Sequence, residues 1–316
     1  MEKEKKKFSL SFQNIFPFLG LALILILFTI LTGINGNSLW SAKALKSTLN
    51  DGLYILLGTV GFTILCAMGE MDFSIGYNMG VSCAVCCIVA NHFGIYAAIP
   101  AAVLTGFLIG LINGLVVTRT GIVSMIATMG MMFILQGLVL VILNGSILQA
   151  PLAILNLYTN PMKIILALVC AIGGYVLLEM TKFGRIAKAV GASPEAVRQT
   201  GIDSKNIKLI AYILMGTLAG ILGFVSLART GTASNSTGSS LMFNALCATL
   251  MGAVPLTGGP TTKFRGAIIG TLTISFLVTG MTLCRISATD QQLIKGIIFL
   301  VAVGISFDRK NMKVIK

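Results

Sequence analysis

Apolar residues in this chain come in long, nearly unbroken runs, not in the alternating or three-and-four spacings of a water-soluble domain. The runs fall at about 15–32, 52–69, 73–91, 95–118, 122–144, 162–179, 207–228, 241–257, 265–284 and 289–306. Most approach the ~20 residues a helix needs to cross the ~30 Å hydrocarbon core of a bilayer. A membrane barrel would instead alternate apolar and polar residues in segments of about ten. The pattern predicts an all-α integral membrane protein, a single polytopic transmembrane domain over 1–316 with about ten transmembrane helices, in the cell membrane. Two runs are interrupted. Asp72, Ser74 and Asn78 break into the third, and Gly252, Pro255, Gly258 and Gly259 into the eighth.

Composition narrows the class further. Of 316 residues, 56% are hydrophobic and 10% charged, where a soluble domain carries roughly a quarter charged residues. A water-soluble enzyme is excluded, and so is a disordered chain. The net charge of +13 does not call for nucleic acid, because basic residues flanking spans are the ordinary topology signal. Nor does any stretch interleave bases with aromatics as a single-strand groove does. Of the seven cysteines, Cys83, Cys86 and Cys87 share one apolar run near His92. The second ligand pair of a zinc site is missing, so no metal, cofactor or disulfide framework is expected.

Charge also predicts sidedness. Lys3, Lys5, Lys6 and Lys7 precede a first run too long for a signal peptide, which reads as an uncleaved span with its basic end in the cytoplasm. Ten spans then place both termini there, with tails at 1–14 and 307–316. Arg119, Lys182, Arg185, Lys188, Arg198, Lys205, Lys208, Lys263, Arg265, Arg309, Lys310, Lys313 and Lys316 face the same side. Lys43, Lys46, Lys163, Arg229 and Arg285 fall on the other side, and Lys295 within a span.

Glycine recurs every fourth residue at Gly106, Gly110 and Gly114, at Gly216 and Gly220, and at Gly266 and Gly270. Such spacing lets helix backbones approach closely, either within one subunit or between two. There is also an internal echo. Gly114 precedes Arg119 by five residues at the end of the fourth span, and Gly280 precedes Arg285 by five at the end of the ninth. An offset of five spans is the plan of an inverted repeat.

The longest polar stretch, a loop at 181–206 predicted to be cytoplasmic, holds a short, well-punctuated helix. Ser193 suits the N-cap and Pro194 the first helical position. Glu195 and Arg198 match the two ends of the helix dipole, and Gly201 supplies a left-handed stop. A free helix this short would not persist, so it rests on its own subunit or lipid, or docks into a cytoplasmic partner. Gly258-Gly-Pro-Thr-Thr-Lys263 lacks the frame of a phosphate-binding loop, so nucleotide hydrolysis is not expected of this chain, nor any other enzymatic chemistry. In Gly69-Glu-Met-Asp-Phe-Ser-Ile-Gly76 two carboxylates lie between apolar runs. Either a broken helix lines a pathway there, or the turn is cytoplasmic and hydrated, or the carboxylates form the cation site of a secondary transporter.

Four segments carry a resemblance to a known family. Gly69 to Gly76 is similar to its G-G-I-D-L-S-V-G. Gly110-Leu-Ile-Asn-Gly-Leu-Val-Val-Thr-Arg119, with Ile126-Ala-Thr-Met-Gly130, resembles its G-x-x-N-G and A-T-L-G blocks. Gly184-Arg185 and Ala189-Val-Gly-Ala-Ser-Pro-Glu-Ala-Val-Arg-Gln-Thr-Gly-Ile202 resemble its cytoplasmic loop, and Gly252 to Gly259 resembles its G-G-T-S-L-S-G-G. The family is that of permease subunits of ATP-driven (ABC) importers for simple sugars, of the ribose and autoinducer-2 type. The resemblance covers roughly residues 50–310.

It implies a transport subunit and not an enzyme. Its partners would be a second permease subunit, identical or not, two cytoplasmic ATP-binding subunits that hydrolyse ATP, and an extracytoplasmic solute-binding protein. Ala192, Ser193, Pro194, Glu195, Ala196, Arg198 and Gly201 would form the coupling helix seated in the ATPase. Asp72, Phe73, Ser74 and Asn78, with Thr257 opposite, are the candidates for the solute pathway. An ion-coupled transporter and an importer of amino acids or nucleosides are the competing readings. The sequence departs from the family at Glu70, where glycine is usual, and at Lys263 and Arg265, where small residues stand. Leu241 to Cys247 lacks an acidic residue that relatives carry.

Overall fold

The computed structural model describes residues 12–306, and the elements run as follows: α1 (Phe12–Ile34), α2 (Ala42–Ala67), α3 (Ile75–Phe93), α4 (Ile95–Thr120), α5 (Ser124–Leu143), β1 (Leu148–Gln149), a 3-10 turn (Leu152–Leu157), α6 (Asn160–Tyr175), a π turn (Val176–Met180), α7 (Lys182–Ala192), α8 (Pro194–Gln199), α9 (Ser204–Thr230), β2 (Thr232–Ala233), α10 (Leu241–Met251), α11 (Arg265–Leu283) and α12 (Ala288–Ser306). The N-terminal lysine cluster, and Arg309 to Lys316 with the tail 307–316, lie outside the described residues. The tail 1–14 lies outside them up to residue 11. Its last three residues belong to α1, which starts at Phe12.

Each of the ten apolar runs carries one helix. Among the described residues, seven helical stretches are long and apolar enough to cross a membrane: Ile15–Ile34, α2, α4, α5, α6 with its π turn, α9 and α11. The polytopic all-α class is therefore plain. The eighth run does not form one span-length helix. At ~1.5 Å per residue, the 11 residues of α10 reach only about half a bilayer. Ala253 (φ +52), Gly258 (φ +77) and Gly259 (φ +98) turn the chain after it.

Burial sorts the bundle. In α2 and α11, 67% of the apolar window is buried, against 22% in α1, α5 and α6. The first two are central and the last three present large apolar side chains outward, among them Leu23, Phe133, Ile134 and Ile165. The tightest packing joins α4 to α9, where Gly106 and Gly110 lie against the backbone of Gly216 and Gly220. In lipid no hydrophobic drive separates helix from tail, so close backbone approach supplies the packing energy. Gly266 meets Gly252, and Gly270 meets the Ala248 carbonyl, on the α10–α11 contact. Gly114 faces Leu209 and Tyr212 of α9, so all seven spaced glycines lie at helix contacts within this chain.

The polar loop between α6 and α9 is two helices. Thr181 caps α7, accepting from the Gly184 N–H at 3.3 Å. Ser193 caps α8, accepting from the Ala196 N–H at 3.3 Å. Asp203 caps α9, accepting from Lys205 N–H at 2.9 Å. Where the sequence predicts a loop over 181–206 with one helix, the structure adds α7 and starts α9 at Ser204.

Candidate functional site

Two regions of the structure could do mechanical or binding work: the projecting pair α7–α8, and the helix-free stretches that interrupt the core.

The face of α8 turned to the bundle is narrow. Val197 is buried, while Pro194, Glu195, Ala196, Arg198, Gln199 and Thr200 are exposed, as are Ala192 and Gly201. Gly201 takes φ +81, a left-handed conformation glycine adopts without penalty. One buried side chain against a row of exposed ones leaves α8 a surface, not a core element. Its platform, α7, is held much more firmly. Gly184, Ala187 and Val190 face inward. Glu179, in the π turn, accepts from Lys188 Nζ at 2.6 Å and from the Phe264 N–H at 2.8 Å. One carboxylate thereby ties α6, α7 and the residue preceding α11 together. At the end of α7, Gly191 touches the Ala67 carbonyl and the Gly259 nitrogen, and Gly259 N–H donates to Ala67 O at 3.0 Å. The projecting helices thus rest directly on the end of α2 and on the break after α10.

The break 68–74 between α2 and α3 is buried and densely bonded. Asp72 Oδ1 accepts from the Ser74 N–H at 2.8 Å and from the Ser74 hydroxyl at 2.6 Å. Asn113 on α4 donates through Nδ2 to Ser74 Oγ at 2.7 Å and reaches Asp72 Oδ2 at 3.5 Å. The backbone freed by the break is answered by side chains of α5 and α9. Met71 N–H donates to Ser124 Oγ at 3.3 Å and Phe73 N–H to Thr128 Oγ1 at 3.1 Å. Tyr212 donates its hydroxyl to Met71 O at 3.2 Å. Glu70 pairs with Lys208. This is the arrangement that irregular backbone at membrane depth requires.

Asp72, Ser74 and Asn78 are fully buried, so the carboxylate is not the hydrated group of an exposed turn; Phe73 is half-buried. Asp72 and Ser74 form one cluster. Asn78, one turn into α3, bonds Gly106 O at 3.5 Å and Ser82 Oγ at 3.4 Å. Thr257 is exposed, with its carbonyl against Gly69, so the structure sets it beside the start of this break. The sequence assigns no site role to Asn113, Ser124, Thr128, Tyr212 or Glu179, and reads Lys188 and Lys208 only as signals of sidedness. Their signal is polarity inside or beside apolar runs, and Asn113 and Thr128 stand within blocks already singled out.

These features define a multi-pass helical membrane protein with interrupted core helices and an anchored pair of short helices at one end. The chain belongs to the family described as branched-chain amino acid transport system / permease component, whose model matches residues 44–303. It is 29% identical over 325 residues to the ribose import permease protein of Bacillus subtilis, covering 98% of this chain and 97% of that one. It is 28% identical over 204 residues to the ribose import permease protein of Escherichia coli, covering 60% of this chain and 61% of the other. To the xylose transport system permease protein of Haemophilus influenzae it is 34% identical over 170 residues, 54% of this chain and 45% of that one. The match therefore spans less than two thirds of the Escherichia coli and Haemophilus relatives and nearly all of the Bacillus one. No solved structure matches the chain.

Proposed function

We propose that this chain is the membrane permease subunit of an ATP-driven importer in the cell membrane, carrying a small polyhydroxylated solute of the monosaccharide class. The observation that carries the reading is α8: one buried anchor, Val197, and an otherwise exposed surface, on a platform packed at Gly191 against the ends of two core elements. A helix so mounted transmits a push from a cytoplasmic ATPase to the breaks at 68–74 and 252–259. The ribose and xylose permeases among the relatives support a sugar. The partners are a second permease subunit, a pair of ATP-binding subunits and an extracytoplasmic solute-binding protein, with ATP hydrolysed off this chain.

The reading includes ten spans, with both termini in the cytoplasm. Arg119, Lys182, Arg185, Lys188, Arg198, Lys205 and Lys263 cluster at or near the ends of helices on the α7–α8 side, which supports that side as cytoplasmic. It also includes an inverted repeat of five spans. In support, α3 packs on α4 and α9 as α10 packs on α11 and α2, and α4 packs on α9 as α11 packs on α2. One constant offset relates Ile75 to Leu241, the first residues of α3 and α10, and also Asn78 to Asn244, Gly114 to Gly280 and Arg119 to Arg285.

Glu195→Arg combined with Ala196→Trp tests the docking of α8. The double variant inserts normally but no longer co-purifies with the ATP-binding subunit; unimpaired assembly would count against the reading. The family's description names a second substrate class, branched-chain amino acids. Leucine that competes for uptake where ribose and xylose do not would select it. An ion-coupled carrier would lose uptake to an ionophore and keep it without the ATPase.

A further inference from the structure

The segment Ser234-Asn-Ser-Thr-Gly-Ser-Ser240 joins α9 to α10 through β2 and has no helix of its own. It does not lie on the end of the bundle. From β2 it descends along α3: Thr232 O faces Cys83 Sγ at 4.0 Å, Thr237 O lies against Gly80, and Gly238 lies against Gly76. Gly76 is about 25 Å of helix from Phe93 at the far end of α3. Below the segment, α10 runs about 16 Å to Gly252, which packs on Gly266 in the first turn of α11. With about 25 Å of helix on one side and about 16 Å on the other, Ser239 and Ser240 stand well inside the length of the bundle and within a hydrocarbon core of about 30 Å.

Ser236, Ser239 and Ser240 are nevertheless exposed on the surface of the chain. Part of the segment's polarity is consumed internally: Ser234 N–H donates to Thr237 Oγ1 at 3.1 Å, and the Ser234 and Ser236 hydroxyls meet at 3.1 Å. The hydroxyls of Ser239 and Ser240 make no hydrogen bond among the described residues, and Ser240 caps α10 without a side-chain bond. Irregular backbone and bare hydroxyls at this depth cannot face lipid, because nothing there replaces water as a partner. One turn on, on the same helix face, Asn244 Oδ1 accepts from Lys295 Nζ at 2.9 Å. That lysine is buried, and an ammonium at membrane depth marks a functional site more often than a packing one.

We infer that Ser236, Ser239 and Ser240 line the aqueous solute path within the bilayer and that the hydroxyls of Ser239 and Ser240 hydrogen-bond the hydroxyls of a passing polyhydroxylated solute. The inference rests on the permease reading and assigns its path to residues other than Asp72, Ser74 and Asn78, which are buried within the chain. Exposed serines exchanging bonds with a neutral polyol bind weakly and reversibly, as conduction requires. Asn244 and Lys295 extend the polar stripe toward the α7–α8 end.

The test uses the full chain in its assembled complex, with Ser236→Cys, Ser239→Cys and Ser240→Cys made singly. The expected result is modification of each by a charged, water-soluble thiosulfonate, slowed several-fold by excess ribose or xylose, while Ile134→Cys on the outward face of α5 stays unmodified. Ser240→Ala lowers ribose uptake at sub-saturating concentration by about two- to tenfold, the loss of one hydrogen bond, and leaves the saturated rate nearly unchanged. Cysteines that never react while the unmodified complex still takes up sugar overturn the inference, and show the segment sealed by a second subunit. Modification without solute protection, together with unchanged uptake by Ser240→Ala, overturns it too. If the unmodified complex carries neither sugar, the permease reading for sugars fails, and the labelling still decides whether the segment faces water.

Discussion

Gly76 and Gly238 each lie against the other's carbonyl oxygen. The residues that open α3 and those that precede α10 therefore cross with no side chain between them. A methyl at Gly76 would stand 2.5 Å from Gly238 O, closer than any real contact. Gly76→Ala is expected to destabilise the protein by about 1–3 kcal/mol, and Gly238→Ala by more, because its φ of +84 adds backbone strain. Thermal unfolding of the detergent-solubilised protein measures both, and an unchanged midpoint for either would contradict the crossing.

The α4–α9 contact gives a second prediction with a built-in control. A Cβ at Gly216 would collide with Gly106 O and the Gly110 backbone, whereas one at Gly130 or Gly137 meets nothing within 4 Å. Gly216→Val should abolish accumulation of folded protein. Gly130→Ala and Gly137→Ala should leave it at the original level or slightly above, since alanine favours helix over glycine by about 1 kcal/mol. Fluorescence-detected size exclusion of tagged variants reads the difference.

Asp72, Ser74 and Asn113 form a shared network, so their effects should not add. Asp72→Ala leaves the Ser74 donors unpaired in a buried site, at a cost of about 1–3 kcal/mol for each donor. Asn113→Ala removes a donor and costs less. The double variant should fall short of the sum by roughly 0.5–3 kcal/mol, the coupling expected of residues in one network. Simple additivity in a double-mutant cycle would show that the two side chains act independently.

Glu179 should hold the α7–α8 platform in place. Its loss frees Lys188 and the Phe264 N–H together, a local cost on the order of 1–3 kcal/mol, confined to the last turn of the α6 stretch. Glu179→Ala is expected to speed trypsin cleavage at Lys182, Arg185 and Lys188 several-fold while the unfolding midpoint moves little. High salt should reproduce part of that acceleration in the unaltered protein, because the Lys188–Glu179 pair is partly exposed and is screened.

The helices of the ten apolar runs, their order and the cap of α8 could be read from residues in a line. Continuous apolar runs leave the backbone no partner but itself, which forces helix whatever surrounds it. Ser193, Pro194 and Gly201 act on bonds within a few residues of themselves, so their meaning needs no partner from afar. What the line of residues could not contain was which polar groups inside the runs find one another. Asn113 stands 39 residues from Ser74, Glu70 is 138 from Lys208, and Glu179 is 85 from Phe264. Nor could it reveal that the segment before α10 runs alongside α3, because its place is set by close approach to Gly76 and Gly80 on that other helix. Local bonds specify helices, whereas the burial of a polar group is decided by distant segments that desolvate it and must supply its partner.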